Sequence, residues 1–183
     1  KEKRKNLEKI NGIGSQTIQY LFDTSNLKDA EKELDYLVKN NIEALYFQDK
    51  NYPEKLKHCI DGPILLFKDG DFNFEKTPII SIVGTRNITS YGRDFCEKLI
   101  YDLKEYNPII VSGFAYGVDI CAHKAAIKNG LTTIGVLAHG FEEIYPKSHK
   151  KHISEVHKNG GFLSDFWHND ELIRENFLKR NRI

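Results

Sequence analysis

The chain has 183 residues, enough for one medium domain and a small appendage. With 40% hydrophobic and 29% charged residues it has an ordinary globular composition, and no apolar run approaches the roughly 18 to 20 residues of a membrane-spanning helix. The formal net charge is only +1, so bulk electrostatics do not mark a nucleic-acid binder and any anion-binding surface has to be local.

The chain opens Lys1-Glu2-Lys3-Arg4-Lys5 with no apolar segment behind the charge, so neither a secretory signal nor a location other than the cytoplasm is expected. Residues 1–41 are expected to form a small helical domain, because Leu27, Ala30, Leu34, Leu37 and Val38 recur at three- and four-residue spacing. Within it, Ile10-Asn11-Gly12-Ile13-Gly14 followed by Ser15 to Phe22 has the pattern of a helix-hairpin-helix (SAM-like) turn, whose glycines let backbone N–H groups approach a phosphate. A glycine-capped hairpin without a ligand accounts for the same residues. Residues 42–76 read as an ordered connector, punctuated by Tyr52-Pro53, Gly62-Pro63 and Lys68-Asp69-Gly70 around a strand-like Ile64 to Phe67.

From residue 77 to the end, strand-length apolar runs alternate with amphipathic helical stretches in the rhythm of βα units. Strands are expected over 79–83, 109–111, 133–137 and 162–163, and helices over 91–105, 118–129 and 147–159. The run Ile79-Ile80-Ser81-Ile82-Val83 implies burial on both faces. The expected class is therefore α/β: a Rossmann-like parallel sheet with helices on both faces, behind the small helical domain. Cys59, Cys96 and Cys121 are odd in number and widely spaced, and read as reduced core thiols.

Ligands of open parallel sheets bind beyond the carboxyl ends of the strands, so three strand-to-helix loops are the candidates. They are Gly84-Thr85-Arg86-Asn87, Ser112-Gly113-Phe114-Ala115-Tyr116-Gly117-Val118-Asp119, and the loop from Ala138-His139-Gly140-Phe141 through Glu142-Glu143-Ile144 to Tyr145-Pro146-Lys147. All three are expected on one edge. Arg86 carries five donors suited to bidentate phosphate binding, with loop bracing as the plainer use. Gly113 and Gly117 bracket a turn whose N–H groups, with the Ser112 hydroxyl, can line an anion site; tight packing also asks for glycine there. Asp119 and His123 lie four residues apart on one helix face and can pair, and an orienting role is preferred over an acid/base dyad. His139, His149, His152 and His157 fit no standard metal spacing and read as a solvated face, so no metal is expected. The clearest local positive excess is Arg174, Lys179, Arg180 and Arg182, opposed by Glu175 alone.

Taken together, Val83-Gly84-Thr85-Arg86, Val111 to Asp119 with Ala122-His123, Ile144-Tyr145-Pro146, and Glu175-Asn176-Phe177 leading into Arg180-Asn181-Arg182-Ile183 resemble the DNA-processing protein A (DprA/Smf) family in order and spacing. The resemblance runs from about Tyr52-Pro53 to the last residue, and the helical front end is similar to the family's small N-terminal domain. It implies an extended Rossmann fold that binds and protects single-stranded DNA in a basic pocket, without catalysis or cofactor. It also implies loading of a RecA-type recombinase onto incoming strands in natural transformation, and a homodimer in the full-length protein. Carried onto this chain, the DNA-binding residues are Gly84, Thr85, Arg86, Ser112, Gly113, Tyr116, Gly117, Lys147, Asn176, Arg180 and Arg182. Phe141 or Tyr145 would offer a stacking face worth about 1 to 3 kcal/mol per base, and Asp119 and His123 would be structural.

Two departures stand out. Many family members have arginine or lysine where this chain has Tyr116, so that a phosphate contact is lost or replaced by stacking. The chain also stops at Ile183, where the family continues, so a C-terminally truncated 77–183 domain is expected. The alternative from the same superfamily is a nucleotide-processing, phosphoribohydrolase-like enzyme. Its Pro-Gly-Gly-x-Gly-Thr-x-x-Glu run finds no match, and Glu142 and Glu143 are the nearest carboxylates. A protein-interaction module with a vestigial pocket is the third reading.

Overall fold

The computed structural model describes residues 3–75 and 78–183; the boundary expected between 76 and 77 lies outside the described residues. The chain divides into two compact units, Lys1–Asn40 and Asn41–Ile183.

The first unit contains α1 (Arg4–Leu7), α2 (Ser15–Leu21) and α3 (Ser25–Asn40). Gly12 has φ +93°, a left-handed value that glycine adopts without penalty, and Gly14 is the extended N-cap of α2. Of the apolar positions that the spacing singles out in α3, Leu37 is buried, whereas Leu27, Leu34 and Val38 are exposed. Asn41, at φ 56°, supplies the left-handed residue that ends α3.

The second unit is built on a six-stranded sheet of order β1-β2-β6-β5-β4-β3. Its strands are β1 (Glu43–Tyr46), β2 (Leu65–Gly70), β3 (Ile79–Ser81), β4 (Ile109–Ser112), β5 (Thr133–Val136) and β6 (Gly160–Ser164). The helices are α4 (Glu54–Lys57), α5 (Ser90–Asp102), α6 (Val118–Lys128), α7 (Ile153–Lys158) and α8 (Arg174–Arg180). β3 to β6 run parallel, while β2 pairs antiparallel with β6 and β1 antiparallel with β2. The stretch read as a connector thus extends the parallel sheet by two strands. Its prolines and glycines mark the turns between them.

The α/β, Rossmann-like class stands, with α5, α6 and α7 on one face of the sheet and α4 on the other. β3, β4, β5 and β6 are neighbours in chain order, so successive right-handed crossovers move in one direction and leave their helices on one side. There α5 and α6 pack through Cys96, Ile100, Ala122 and Ala126 against Ile110, and α6 and α7 enclose Phe162 and Phe114. On the other face Ile109, Ile134, Val136 and Leu163 are covered by Phe72, Phe74 and Ile183, and Leu56 of α4 joins Leu45 and Leu66. A fully buried side chain such as Ile110 or Ile134 contributes roughly 1.5–3 kcal/mol. β3 is an edge strand, so burial of 79–83 on both faces is not realised: Ser81 is exposed and Val83 is 77% exposed. Of the three thiols, Cys96 and Cys121 are core residues, with burial pushing Cys96 up to about 12, but Cys59 is exposed, outside the core expected for it.

His123 does not pair with Asp119. Its Nδ1 lies 2.7 Å from Thr133 Oγ1, whose own proton goes to the Ile110 carbonyl at 3.0 Å, so the imidazole is the neutral donor at Nδ1. Nε2 is then a buried lone pair without a partner among the described residues, beside the Phe114 ring. Burial lowers the His123 pKa to about 3. Because the unfolded histidine titrates near 6.5, the unfolded state binds the extra proton first as pH falls, and stability present above about pH 6.5 is lost toward pH 3. His123→Asn is expected to flatten the pH dependence of unfolding free energy between about pH 6 and 4 by up to about 1.4 kcal/mol per pH unit. Urea titrations across that range measure it, and an unchanged slope would exclude His123 as the source.

Candidate nucleic-acid interface

The site begins with two loops that dock backbone to backbone. After β3 the chain runs through Gly84, Thr85 and Arg86 to Thr89, which caps α5 by accepting from Gly92 N at 3.1 Å. After β4 it runs through Gly113 to Gly117, and Val118 N donates to Thr85 O at 3.1 Å, joining the loops. Gly117 has φ +78°, and a Cβ there would lie 2.1 Å from Thr85 O. A Cβ on Gly84 would lie 2.6 Å from a Val118 methyl. These two glycines answer to loop packing, which in turn holds Arg86 at the carboxyl rim of the sheet.

Arg86 is exposed, lies over the Phe177 ring with its guanidinium carbon 4.8 Å from the centroid, and lines three adjacent cavities. The first, of 440 Å3, includes Gly84, Ser112, Gly113, Asp119, Arg180 and Arg182. The second, of 910 Å3, includes Tyr145, Arg174 and Phe177. The third, of 590 Å3, includes Arg93, Tyr116, Gly117 and Lys124.

Arg180 reaches from α8 to the ends of β4 and β5. Its Nη1 donates to Gly113 O at 3.0 Å and to Val136 O, and its Nε donates to Asn181 Oδ1 at 3.2 Å. Nη2 is left without a protein acceptor among the described residues. Burial lowers the Arg180 pKa, and the Asp119 carboxylate opposes that shift. Burial likewise raises the pKa of Asp119, against the pull of the Ala115 N–H at 3.3 Å and the Arg180 charge. Ser112 donates its hydroxyl to Ile82 O at 2.6 Å, tying β4 to the end of β3. An oriented cation is thus held above a buried carboxylate, with polar groups committed to shaping the first cavity.

An aromatic row continues the rim. Tyr145 is edge-on to Phe177 at 5.7 Å and to Tyr116 at 6.5 Å, and Tyr116 contacts His149 at 5.0 Å. Tyr116 is 43% exposed and receives a hydrogen bond from Ser148 at 3.1 Å. Phe141, the other stacking candidate, packs instead toward the cluster of Phe114, Leu137, Val156 and Phe162. Arg182 pairs with the buried carboxylate of Asp165, and the buried Asn176 holds Glu171 O at 3.1 Å, so both are engaged within the protein. Lys147 is exposed in the 3-10 helix Lys147–His152 and lies outside the three cavities that share Arg86.

His149 is buried, with Nδ1 2.9 Å from Phe114 O, rather than on a solvated face. His139 is also buried, bonded to Gly140 O at 2.8 Å and accepting from Tyr145 N at 3.3 Å. His157 meets Asp69 at 2.7 Å and His152 meets Glu155 at 3.6 Å, so the four histidines have separate structural partners. Glu142 lies 3.8 Å from His168. Two rim cations, Arg93 and Lys124, escaped the sequence reading: on amphipathic helices such residues look like any solvated face, and only the docking of the loops brings them beside Arg86.

The loop contact is testable. Gly130 also has a positive φ, +70°, but no atom within 4 Å of a built Cβ. Gly130→Ala is expected to cost about 1 to 2 kcal/mol for its backbone conformation. Gly117→Ala should cost roughly a further 1 to 3 kcal/mol for the collision with Thr85. Equal unfolding free energies for the two variants would contradict the contact.

Comparison with known proteins gives consistent results. The family model described as DNA recombination-mediator protein A matches residues 43–183. The chain is 36% identical over 135 residues to DNA processing protein DprA of Streptococcus pneumoniae, covering 74% of this chain and 48% of that protein. It is 37% identical over 143 residues to DNA processing protein DprA of Bacillus subtilis, covering 78% of this chain and 48% of that protein. The chain spans about half the length of these curated relatives. The X-ray structure of DNA processing protein A from Streptococcus pneumoniae superposes with a TM-score of 0.81 at 28% identity, over 100% of this chain and 62% of that one. DNA processing protein A from Helicobacter pylori, solved for insight into its single-stranded DNA binding mode, gives a TM-score of 0.67 at 33% identity over 76% of this chain and 62% of that one.

Proposed function

This chain belongs to the DNA recombination-mediator protein A family, and from that membership we propose that its second unit binds and protects single-stranded DNA along the carboxyl rim of the sheet. The observation that carries the reading is Arg86: an exposed guanidinium shared by three cavities, lying on Phe177, and in no ion pair with a carboxylate among the described residues. Arg86, and the donor of Arg180 left over from its carbonyl contacts, take phosphate oxygens. Tyr145, Phe177 and Tyr116 offer ring faces and edges to bases, which a flexible single strand presents and a stacked duplex withholds. The Helicobacter pylori relative, described by its single-stranded DNA binding mode, supports the same ligand class.

The role assigned to the rim is non-enzymatic. Asp119, the carboxylate of the first cavity, is engaged by the Ala115 N–H and the Arg180 charge, which suits a brace rather than a proton carrier. In the full-length protein the bound strand would be handed to a RecA-type recombinase in natural transformation, by a homodimer acting in the cytoplasm. Among the described residues no helix is long and apolar enough to cross a membrane.

Single-stranded oligothymidine should be retained well above duplex of equal length, with log K falling linearly against log salt. Arg86→Ala should weaken binding about tenfold to a hundredfold, the worth of a charged hydrogen-bonding group, and reduce the salt slope by about 0.7. Filter-binding titrations at several salt concentrations read both quantities. Salt-insensitive binding, or a mononucleotide bound as tightly as the oligomer, would contradict the proposal, and turnover of nucleotide by the protein would overturn its non-enzymatic part.

A further inference from the structure

We infer that the groove between α5 and α6 is a second phosphate track, in which Arg93 and Lys124 hold the backbone of the DNA strand as it leaves the rim; this rests on single-stranded DNA binding at Arg86. The groove is the 590 Å3 cavity that contains Arg86, Arg93 and Lys124, floored by Ile120 and Cys121. Ile120, Cys121 and Lys124 of α6, with its N-cap Gly117, fall at i, i+3, i+4 and i+7 and so share one face. Arg93 stands in the first turn of α5, just after the Thr89 cap. Both cations are exposed.

Their pairing state separates them from ordinary surface charges. Further along the same two helices the cations are neutralised: Lys98 meets Asp102 at 2.9 Å, and Lys128 meets Glu97 at 3.9 Å. Arg86, Arg93 and Lys124 have no such carboxylate among the described residues, and no acidic residue lines their groove. Three exposed positive charges around one groove, none in an ion pair among the described residues, favour an anion there, and a groove opening onto the rim at Arg86 suits a chain of phosphates better than an isolated ion. Cations held this way contribute through counterion release, which is independent of base sequence. Tyr116, at the junction of groove and aromatic row, would divide the strand into a segment read by rings and a segment held by charge.

The test is the double variant Arg93→Gln, Lys124→Gln in the 183-residue chain, titrated with oligothymidines of about 6 and about 20 nucleotides, the longer exceeding the roughly 4–16 nucleotides of a single OB-fold site. Affinity for the longer oligomer should fall about tenfold, and its salt slope should shrink by about 1.4 for two lost phosphate contacts. Affinity for the shorter oligomer should change less than about twofold. Arg86→Ala should weaken both lengths. If the double variant matches the parent on the longer oligomer while Arg86→Ala still weakens it, the groove proposal is overturned and the rim reading survives. If the double variant weakens both lengths equally, the groove is not a continuation of the track and the proposal also fails. Loss of any Arg86 effect would sink the rim reading and the groove with it. Both substituted positions are exposed, so an unchanged melting temperature confirms that the variants fold.

Discussion

The close approach of two loop backbones organises this molecule. Gly117 sits where any side chain would strike the Thr85 carbonyl, and the Val118 N–H closes the contact at 3.1 Å. One loop prolongs the edge strand β3 and the other prolongs β4, so their docking fixes where the rim of the sheet ends. Arg86 follows directly from that junction, and its guanidinium can reach Phe177 and all three cavities only because the loop beneath it cannot spread.

The same junction concentrates charge in a chain with almost none in excess. With 27 basic against 26 acidic residues, the formal charge is near balance, yet Arg86, Arg93, Lys124 and Arg180 gather around neighbouring cavities. Three are solvent-facing and, among the described residues, in no ion pair. Arg180 is different in kind: it spends donors on the Gly113 and Val136 carbonyls and shares a buried site with Asp119, so much of its role is to lock α8 onto the ends of β4 and β5. A Cβ at Gly113 would fall 2.2 Å from that guanidinium, so a side chain there would require Arg180 to shift. Shape and charge are therefore set by the same few contacts.

The βα rhythm of the parallel strands was legible because apolar, strand-length runs such as Ile109 to Val111 contrast sharply with the alanine-rich α6. β1 and α8 were not: Glu43-Ala44-Leu45-Tyr46 is not a continuous apolar run, with Leu45 alone buried, and the seven residues of α8 make only about two turns, too few for periodicity to stand out from turn signals. The rim was readable to the extent that glycine, arginine and aromatic residues fall in strand-to-helix loops. What local sequence could not convey was pairing over distance. Arg182 resembles a free cation until Asp165 is seen beside it, seventeen residues earlier in the chain. His149 looks like one of several solvated histidines until it meets the Phe114 carbonyl, 35 residues away in sequence. His123 and Asp119 have the spacing of a helix pair, yet Thr133 from the next strand captures the imidazole.

A crystal structure of the chain with an oligothymidine of about six nucleotides would test the central claim most directly. The account requires phosphate oxygens within hydrogen-bonding distance of the Arg86 guanidinium and a base against Tyr145 or Phe177. A strand bound to another surface, with Arg86 still lying on Phe177 and touching no phosphate, would contradict it.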